Sequence, residues 1–409
     1  MNKKNISRNN FISIFVEGGF YFTGYTFFDV YVVIPVFVEA LTGNLKFTGL
    51  AAALKLSLYM VPQLIMGLYT AGIKNVPRFL GWSGFLGRVC SFIVPLTLVL
   101  NLDASIKVLA VYFALSAASF ADGLTHVPWL DILGRTIEPS KRGKLLGYQQ
   151  LTGGLGGFAA GICIKTILAG NGSFESKYAS VFLIGAVIIT ISGLLLFTLK
   201  DIEREIKTCK DRVWDYFKSL HKYLFSNKSY LRLIATQIPA NFSGLAAPLY
   251  ILFAKTRFDL PNDTVSTLMF IQILGGLAGG VLWGNLSYKK GNKFTIQTGL
   301  VVNIITVSNA LMLQLYDFHN PFPFTVVMVF SAGLLLGAWL GYTNYLLDII
   351  SDEQRPVYIA ITSTILFPLT FTSLVGGVLA DKAGFSPVFG IVAVFVIIAF
   401  IMSFKLEKT

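Results

Sequence analysis

Long apolar segments separated by short polar loops make up most of this chain. If about 20 apolar residues form one membrane crossing, the pattern predicts an all-α membrane protein with twelve transmembrane helices. The first segment is too long for a signal-peptide core and has no small-residue cleavage site, so we expect it to remain as the first crossing. The predicted helices lie near residues 11–37, 47–73, 79–101, 106–128, 144–168, 178–199, 229–254, 263–287, 294–315, 322–348, 356–380 and 385–404.

Composition and charge support a membrane location. Hydrophobic residues make up 54% of the chain and charged residues only 13%, whereas soluble domains carry about 25% charged residues. With the N-terminus in the cytoplasm, 24 of the 33 Lys and Arg residues fall in predicted cytoplasmic segments and 6 in outer loops. This bias predicts a multi-pass protein of the cell membrane with both termini cytoplasmic. The net charge of +12 is then explained by topology and anionic lipid, and not by a nucleic-acid partner.

The longest polar segment, residues 200–228, divides the chain into predicted halves at 1–199 and 229–409, each with six helices. Apolar residues recur within it at helical spacing, which favours an amphipathic helix on the membrane surface; a solvated linker helix is the alternative. The two halves also echo each other, because Leu-Asp-Ile ends an apolar run at both Asp131 and Asp348. Such repeats indicate two pseudo-symmetric bundles with a site between them.

Loop motifs connect the sequence to a known family. The loop GNLSYKKGNK, from Gly284 to Lys293, follows the pattern Gly-x-Leu-x-Asp-Arg-x-Gly-Arg-Lys, with Tyr288 in place of the Asp and Asn292 in place of the second Arg. In this loop and in the loop after the fourth helix, the matching residues are Gly284, Leu286, Lys289, Gly291, Lys293, Arg142 and Gly143. On these residues the chain resembles the major facilitator superfamily over nearly its whole length. The resemblance implies alternating access, a monomer, and a central cavity lined by helices one, four, seven and ten.

Glycines on the fifth and eighth helices predict close helix packing. Small residues recur every four positions on the fifth helix, but Phe158 occupies the position of the proline that the family's antiporter motif requires. The spacing therefore supports close approach of backbones, with static packing as the alternative to sliding, and gives little support for antiport. The glycines concerned are Gly153, Gly157 and Gly161, and on the eighth helix Gly275, Gly276, Gly279, Gly280 and Gly284.

Ionisable residues at membrane depth are costly and are therefore candidates for function. The first helix carries Glu17, Tyr21, Tyr25 and Asp29 at intervals of four, and the fourth helix carries Ser119, Asp122 and His126 on one polar stripe. Structural ion pairs of Asp29 with Lys55, or of Arg88 with a carboxylate, are the alternative. Arg88 is the only basic partner that the sequence offers Asp122. We therefore expect Asp122, Asp29 or Glu17 to bind and release a proton, and His126 to lie at a helix end or interface.

The second half offers amides and aromatic rings in place of charges. Gln237 and Asn241 lie on the seventh helix, and Trp339, Tyr342 and Asn344 on the tenth. Such groups suit a neutral or amphipathic organic solute, although they could equally tie helices together.

The sequence therefore predicts a secondary transporter of a small organic solute, coupled to protons, with export of drug-like compounds favoured. Nutrient uptake, a lipid or lysolipid flippase of the same fold, and a non-transporting membrane receptor are the alternatives. There is no phosphate loop or nucleophile motif, and the three Cys and three His residues are scattered. We therefore expect no enzyme activity, cofactor or metal.

Overall fold

A computed structural model of the protein describes residues 3–202, 227–350 and 355–407. Every regular element in these ranges is a helix, as the apolar pattern predicts. Nine helical stretches of the described residues are long and apolar enough to cross a membrane. They correspond to all the predicted crossings except the first, second and seventh. The amphipathic helix predicted at 200–228 lies almost entirely outside the described residues.

The described ranges contain seventeen α-helices, several of which are parts of one predicted crossing. Those of the first half are α1 (Lys3–Phe27), α2 (Val33–Thr42), α3 (Leu45–Tyr69), α4 (Val76–Val89), α5 (Ile93–Val99), α6 (Ala104–Thr136), α7 (Pro139–Ala169) and α8 (Phe174–Leu195). Those of the second half are α9 (Lys228–Ala240), α10 (Tyr250–Phe258), α11 (Asn262–Lys290), α12 (Asn292–Leu315), α13 (Phe322–Leu335), α14 (Trp339–Ile349), α15 (Arg355–Leu366), α16 (Thr372–Ala383) and α17 (Phe385–Ser403).

Several predicted helices are interrupted, which the apolar pattern did not indicate. The seventh, predicted as continuous over 229–254, breaks between α9 and α10, where Pro248 removes a backbone donor just before α10 begins. The tenth breaks at residues 336–338 around Gly337, and the eleventh passes through a 3₁₀ segment, Phe367–Phe371, that contains Pro368. The fourth is longer than predicted, because α6 continues to Thr136. Hydropathy reports burial in lipid and does not detect these local breaks.

The chain forms two compact units. The first consists of Met1–Asp29 with Leu54–Val213, and the second of Val30–Ala53 with Trp214–Thr409. In the first unit α1 packs on α7 and α8, and α4 packs on α6 and α8. An apolar cluster at one end of this unit contains Ile14 and Leu80. These packings bring one face each of α1, α4, α6 and α8 together.

Residues 30–53 pack within the second unit. Glu39 of α2 forms an ion pair with Lys255 of α10, and the Ser373 hydroxyl donates to the Gly49 carbonyl at 3.0 Å. A Cβ at Gly49 would collide with the backbone of α16, so this approach requires glycine. Elsewhere in the unit, α12 packs on α13 and α17, and α11 packs on α13.

A buried charge cluster as candidate functional site

The site is centred on Arg88, near the end of α4. Glycines on this helix let its neighbours approach closely: a Cβ at Gly87 would collide with Ala121 of α6, and one at Gly84 would lie 2.5 Å from Leu196. Because glycine has no side chain, the guanidinium of Arg88 fits between three other helices, and the residue is only 3% exposed. The local sequence therefore creates both the charge and the space around it.

Two carboxylates and a hydroxyl surround Arg88. Its Nη1 donates to Glu17 Oε1 at 3.1 Å and to the Ser192 hydroxyl at 2.8 Å. Its Nη2 donates to Asp122 Oδ1 at 3.2 Å. Glu17 and Asp122 are only 6% and 5% exposed. The cluster thus joins α1, α4, α6 and α8 through charge-assisted hydrogen bonds, which are stronger than neutral ones.

The second oxygen of Asp122 accepts two further hydrogen bonds. Tyr21 donates to Oδ2 at 3.0 Å, and Tyr25 donates to the same oxygen. The Arg88 guanidinium also lies 4.8 Å from the centre of the Tyr21 ring, a cation–π arrangement. The sequence offered Asp122 only Arg88 as a basic partner; the structure shows this ion pair and adds two tyrosine donors from α1.

Lys55 of α3 brings a second positive charge to the cluster. Its Nζ lies 4.6 Å from the centre of the Tyr25 ring, and the negative charges of Asp29 and Asp122 both act on it. Asp29 itself lies between α1 and α2 and is half-buried. The polar stripe of the first helix and the cations of the second and third crossings therefore form one network within the first unit.

The charges of the Arg88 cluster do not balance. Among the groups joined by ion pairs in the cluster, two carboxylates (Glu17, Asp122) share one guanidinium (Arg88), which leaves one surplus negative charge when all three groups are ionised. Burying an uncompensated charge is costly. Uptake of a single proton would make the cluster neutral.

Other polar groups line the same region of the first unit. His126 Nδ1 and the Tyr59 hydroxyl form a hydrogen bond of 3.1 Å, so this histidine joins α3 to α6. Ser119 lies one turn before Asp122, and its hydroxyl is buried without a hydrogen-bond partner in the described part of the chain. Arg88 Nε is a second such atom. Neither atom has its hydrogen-bonding capacity met by a described residue.

The candidates of the second half have more varied surroundings. The Asn241 amide donates to the Gln237 carbonyl at 2.8 Å and so closes the end of α9. The Asn344 amide donates to the Ser287 hydroxyl at 3.2 Å, next to the loop after α11. Trp339 is 57% exposed, whereas the Tyr342 hydroxyl is buried without a described partner.

The sequence did not single out several buried polar residues that the structure shows. Ser192 contacts Arg88 but belongs to an apolar helix with no polar stripe. In the second unit, buried neutral polar atoms without a described partner occur on three more helices; they belong to Tyr250, Gln272, Asn303 and Asn309. Isolated polar residues in apolar runs were the only available signal for them.

Hydrogen bonds connect the loop motif of the second half to α14. Ser287 donates to Asn292, and the Asn292 amide donates to Asp348 at 2.5 Å, which links the start of α12 to the end of α14. Gly291 has a φ of 84°, which favours glycine. Tyr288 is 89% exposed. Of the remaining motif residues, Gly284 and Lys289 are exposed, Leu286 is half-buried, and Arg142 and Gly143 lie near the start of α7.

The glycines of α7 and α11 pack against helices of their own units. A Cβ at Gly153 would lie 2.7 Å from Phe22 of α1, and one at Gly157 would lie 3.3 Å from Thr26; Gly161 is buried further along α7. On α11 the tight contacts with α13 occur at Gly275 and Gly279. A Cβ at Gly276 would have ordinary contacts, and one at Gly280 would meet no described atom within 4 Å. Within the glycine face predicted for this helix, the close packing of α11 therefore depends on Gly275 and Gly279, and not on Gly276 and Gly280.

Comparisons with known proteins give the fold a family context. The Major Facilitator Superfamily model matches residues 20–261 and 233–409. No curated protein matches the chain. The structure is similar to a bacterial homologue of the iron transporter ferroportin in the inward-facing state, at 13% identity over 99% of both chains with a TM-score of 0.71. It is also similar to a D-xylose–proton symporter (14% identity, 97% of this chain and 98% of that chain, TM-score 0.70). A third similar structure is the nucleoside transporter NupG (13% identity, 98% of each chain, TM-score 0.60).

Proposed function

This chain belongs to the major facilitator superfamily, and we propose that it is a proton-coupled secondary transporter that exports a small neutral or amphipathic organic solute across the cell membrane. The family consists of transporters, and the chain is accordingly a multi-pass membrane transporter of this type. In the proposal, the halves predicted at 1–199 and 229–409 alternate access to a solute, and both termini are cytoplasmic.

The surplus negative charge of the Arg88 network is the observation that supports proton coupling. A network that must pass through a closed, water-poor state is more stable when it is neutral, because isolated charges are poorly tolerated at membrane depth. One proton supplies that neutrality. Loading and release of this proton would then accompany each change of access.

Glu17 is the carboxyl group that we propose as the proton carrier. In the described structure it accepts one hydrogen bond from Arg88, whereas Asp122 accepts bonds from Arg88, Tyr21 and Tyr25. A proton on either oxygen of Asp122 would compete with a donor already bound there, whereas the printed donor to Glu17 binds only Oε1. Asp122 would therefore hold Arg88 in place while Glu17 exchanges its proton.

The groups available to a solute favour a neutral molecule. Arg88 forms ion pairs with two carboxylates. Lys55 lies over the Tyr25 ring, and the charges of Asp29 and Asp122 act on it. Two of the cavity candidates, Ser119 and Tyr342, have a buried hydroxyl group without a hydrogen-bond partner among the described residues. Both of these groups are neutral, unlike Arg88 Nε. Aromatic residues form 14% of the chain, with 35 Phe, which suits an amphipathic solute of the drug-like kind.

The test is solute transport by purified protein in liposomes that contain a pH-sensitive dye. Sugars, nucleosides and neutral amphipathic fluorescent dyes are supplied with and without an imposed proton gradient, in both gradient directions. We expect a neutral amphipathic dye to be transported against the direction of proton flow, and Glu17→Gln to abolish gradient-driven accumulation while dye exchange at equilibrium continues. Transport in the same direction as the protons would indicate uptake instead. Wild-type transport that ignores the gradient, or full accumulation by Glu17→Gln, would refute the coupling.

A further inference from the structure

The segment Phe404–Glu407, which follows α17, is fastened to three other helices of the second unit. It leaves the helix after the buried residue Ser403, and Leu406 is only 2% exposed. Short segments beyond a terminal helix are usually poorly ordered unless side chains hold them. Here the holding groups come from α9, α12 and α14.

Lys293, in the first turn of α12, fastens the beginning of this segment. Its Nζ donates to the Phe404 carbonyl at 2.9 Å and also to the Leu406 carbonyl. Carbonyl groups at the end of a helix lack partners within the helix and carry partial negative charge, so a lysine is well suited to bind them. The last residue of the loop motif thus serves as a cap for α17.

Glu407 fastens the far end of the segment to two more helices. Its carboxylate accepts hydrogen bonds from Arg232 at 2.6 Å and from the Ser229 hydroxyl at 2.8 Å, both in α9. Its backbone N–H donates to the Tyr345 hydroxyl of α14 at 3.0 Å. Tyr345 is fully buried, which makes it a rigid anchor.

We propose that Phe404–Glu407 acts as a clasp that makes the neighbouring ends of α9, α12 and α14 move as one block. Both α9 and α14 adjoin a break in their helix, at residues 241–249 and 336–338, so neither is held along its axis by a continuous helix. The clasp supplies the missing restraint. It also fixes α14 three residues from Tyr342, a cavity candidate. The proposal does not depend on proton coupling or on the identity of the solute.

Hydrogen–deuterium exchange of the full-length protein tests the clasp without a solute. The variants are Glu407→Gln, Lys293→Gln, the exchanged pair Arg232→Glu with Glu407→Arg, and removal of the residues after Ser403. We expect exchange to become roughly two- to fivefold faster in the first turns of α9 and the last turns of α14 in Glu407→Gln, since the ion pair between Arg232 and Glu407 is exposed and such pairs stabilise local closure only modestly. The exchanged pair should restore most of the protection. Lys405→Gln, whose side chain is exposed, is the matched control and should exchange like the wild type.

The point variants keep the test valid if the shortened chain does not fold. Faster exchange confined to residues 404–407, or equal acceleration in the first unit, would overturn the proposal. So would an exchanged pair that remains as labile as Glu407→Gln. Absence of proton-driven transport by the wild-type protein, together with the expected exchange pattern in the variants, would count against the proposed function alone.

Discussion

Replacing Arg88 by glutamine tests whether the cluster is truly buried and short of positive charge. The change removes the one cation that Glu17 and Asp122 share, so the ion-paired cluster goes from one surplus negative charge to two. Arg88 is 3% exposed and its two carboxylate partners are at most 6% exposed, so water cannot compensate. Breaking a buried pair and leaving its partner charged costs about 3–5 kcal/mol. For a unit of this size, that cost corresponds to a fall in Tm of roughly 6–20 °C.

Glu17→Gln should not lower the Tm, in contrast to Arg88→Gln. The new amide keeps an oxygen that can accept from Arg88 and removes the surplus charge, so we expect stability equal to or above that of the wild type. The triple variant Glu17→Gln, Arg88→Gln, Asp122→Asn has no charge left in the Arg88 cluster. It should recover most of the stability lost in Arg88→Gln, because neutral replacements of buried ion pairs are often well tolerated.

The assay is thermal unfolding of the purified variants in one detergent, followed by intrinsic tryptophan fluorescence between mildly acidic and mildly basic pH. Uptake of one proton makes the wild-type network electrically equal to that of Glu17→Gln, so the difference between their Tm values should shrink as the pH is lowered. A fall of less than about 2 °C for Arg88→Gln, or a Glu17→Gln variant as unstable as Arg88→Gln, would refute the reasoning. The first result would mean that the cluster is solvated, and the second that the glutamate charge is needed for stability.

Two further contrasts test the packing of the second unit by thermal unfolding. Gly275→Ala should destabilise by about 1–3 kcal/mol, because its Cβ would collide with the α13 backbone, whereas Gly280→Ala has room and should be neutral or stabilising; equal effects would contradict the assigned helix face. Trp283→Phe should cost about 1–3 kcal/mol, because the indole N–H donates to the Leu334 carbonyl at 2.7 Å beside the break before α14. Trp82→Phe, at a half-exposed ring on the first unit, is its control and should cost clearly less; a larger loss there would show that ring size, and not the hydrogen bond, determines the effect.

The positions of the helices could be predicted well, and their continuity could not. Apolar runs of about 20 residues indicate a crossing because the bilayer requires that length, so all twelve predicted crossings correspond to helical segments in the structure. Whether a run stays helical at Pro248 or Gly337 depends on which neighbouring group satisfies the freed backbone atoms. At the break around Gly337, the indole N–H of Trp283 binds the Leu334 carbonyl, although the two residues are 51 positions apart.

The sequence by itself determined the membrane class, the family motifs and the buried ionisable residues, because hydropathy, loop charge and motif spacing are local properties of the chain. It also identified Glu17, Asp122 and Arg88 as possible partners. Only the tertiary structure decided that Arg88 joins both carboxylates, that Tyr21 and Tyr25 complete Asp122, and that Ser192 belongs to the same site. These contacts link residues 34 to 104 positions apart. They depend on how closely the helices pack. Glycines, which have no side chain, allow this close packing, and no periodic pattern in the sequence predicts it.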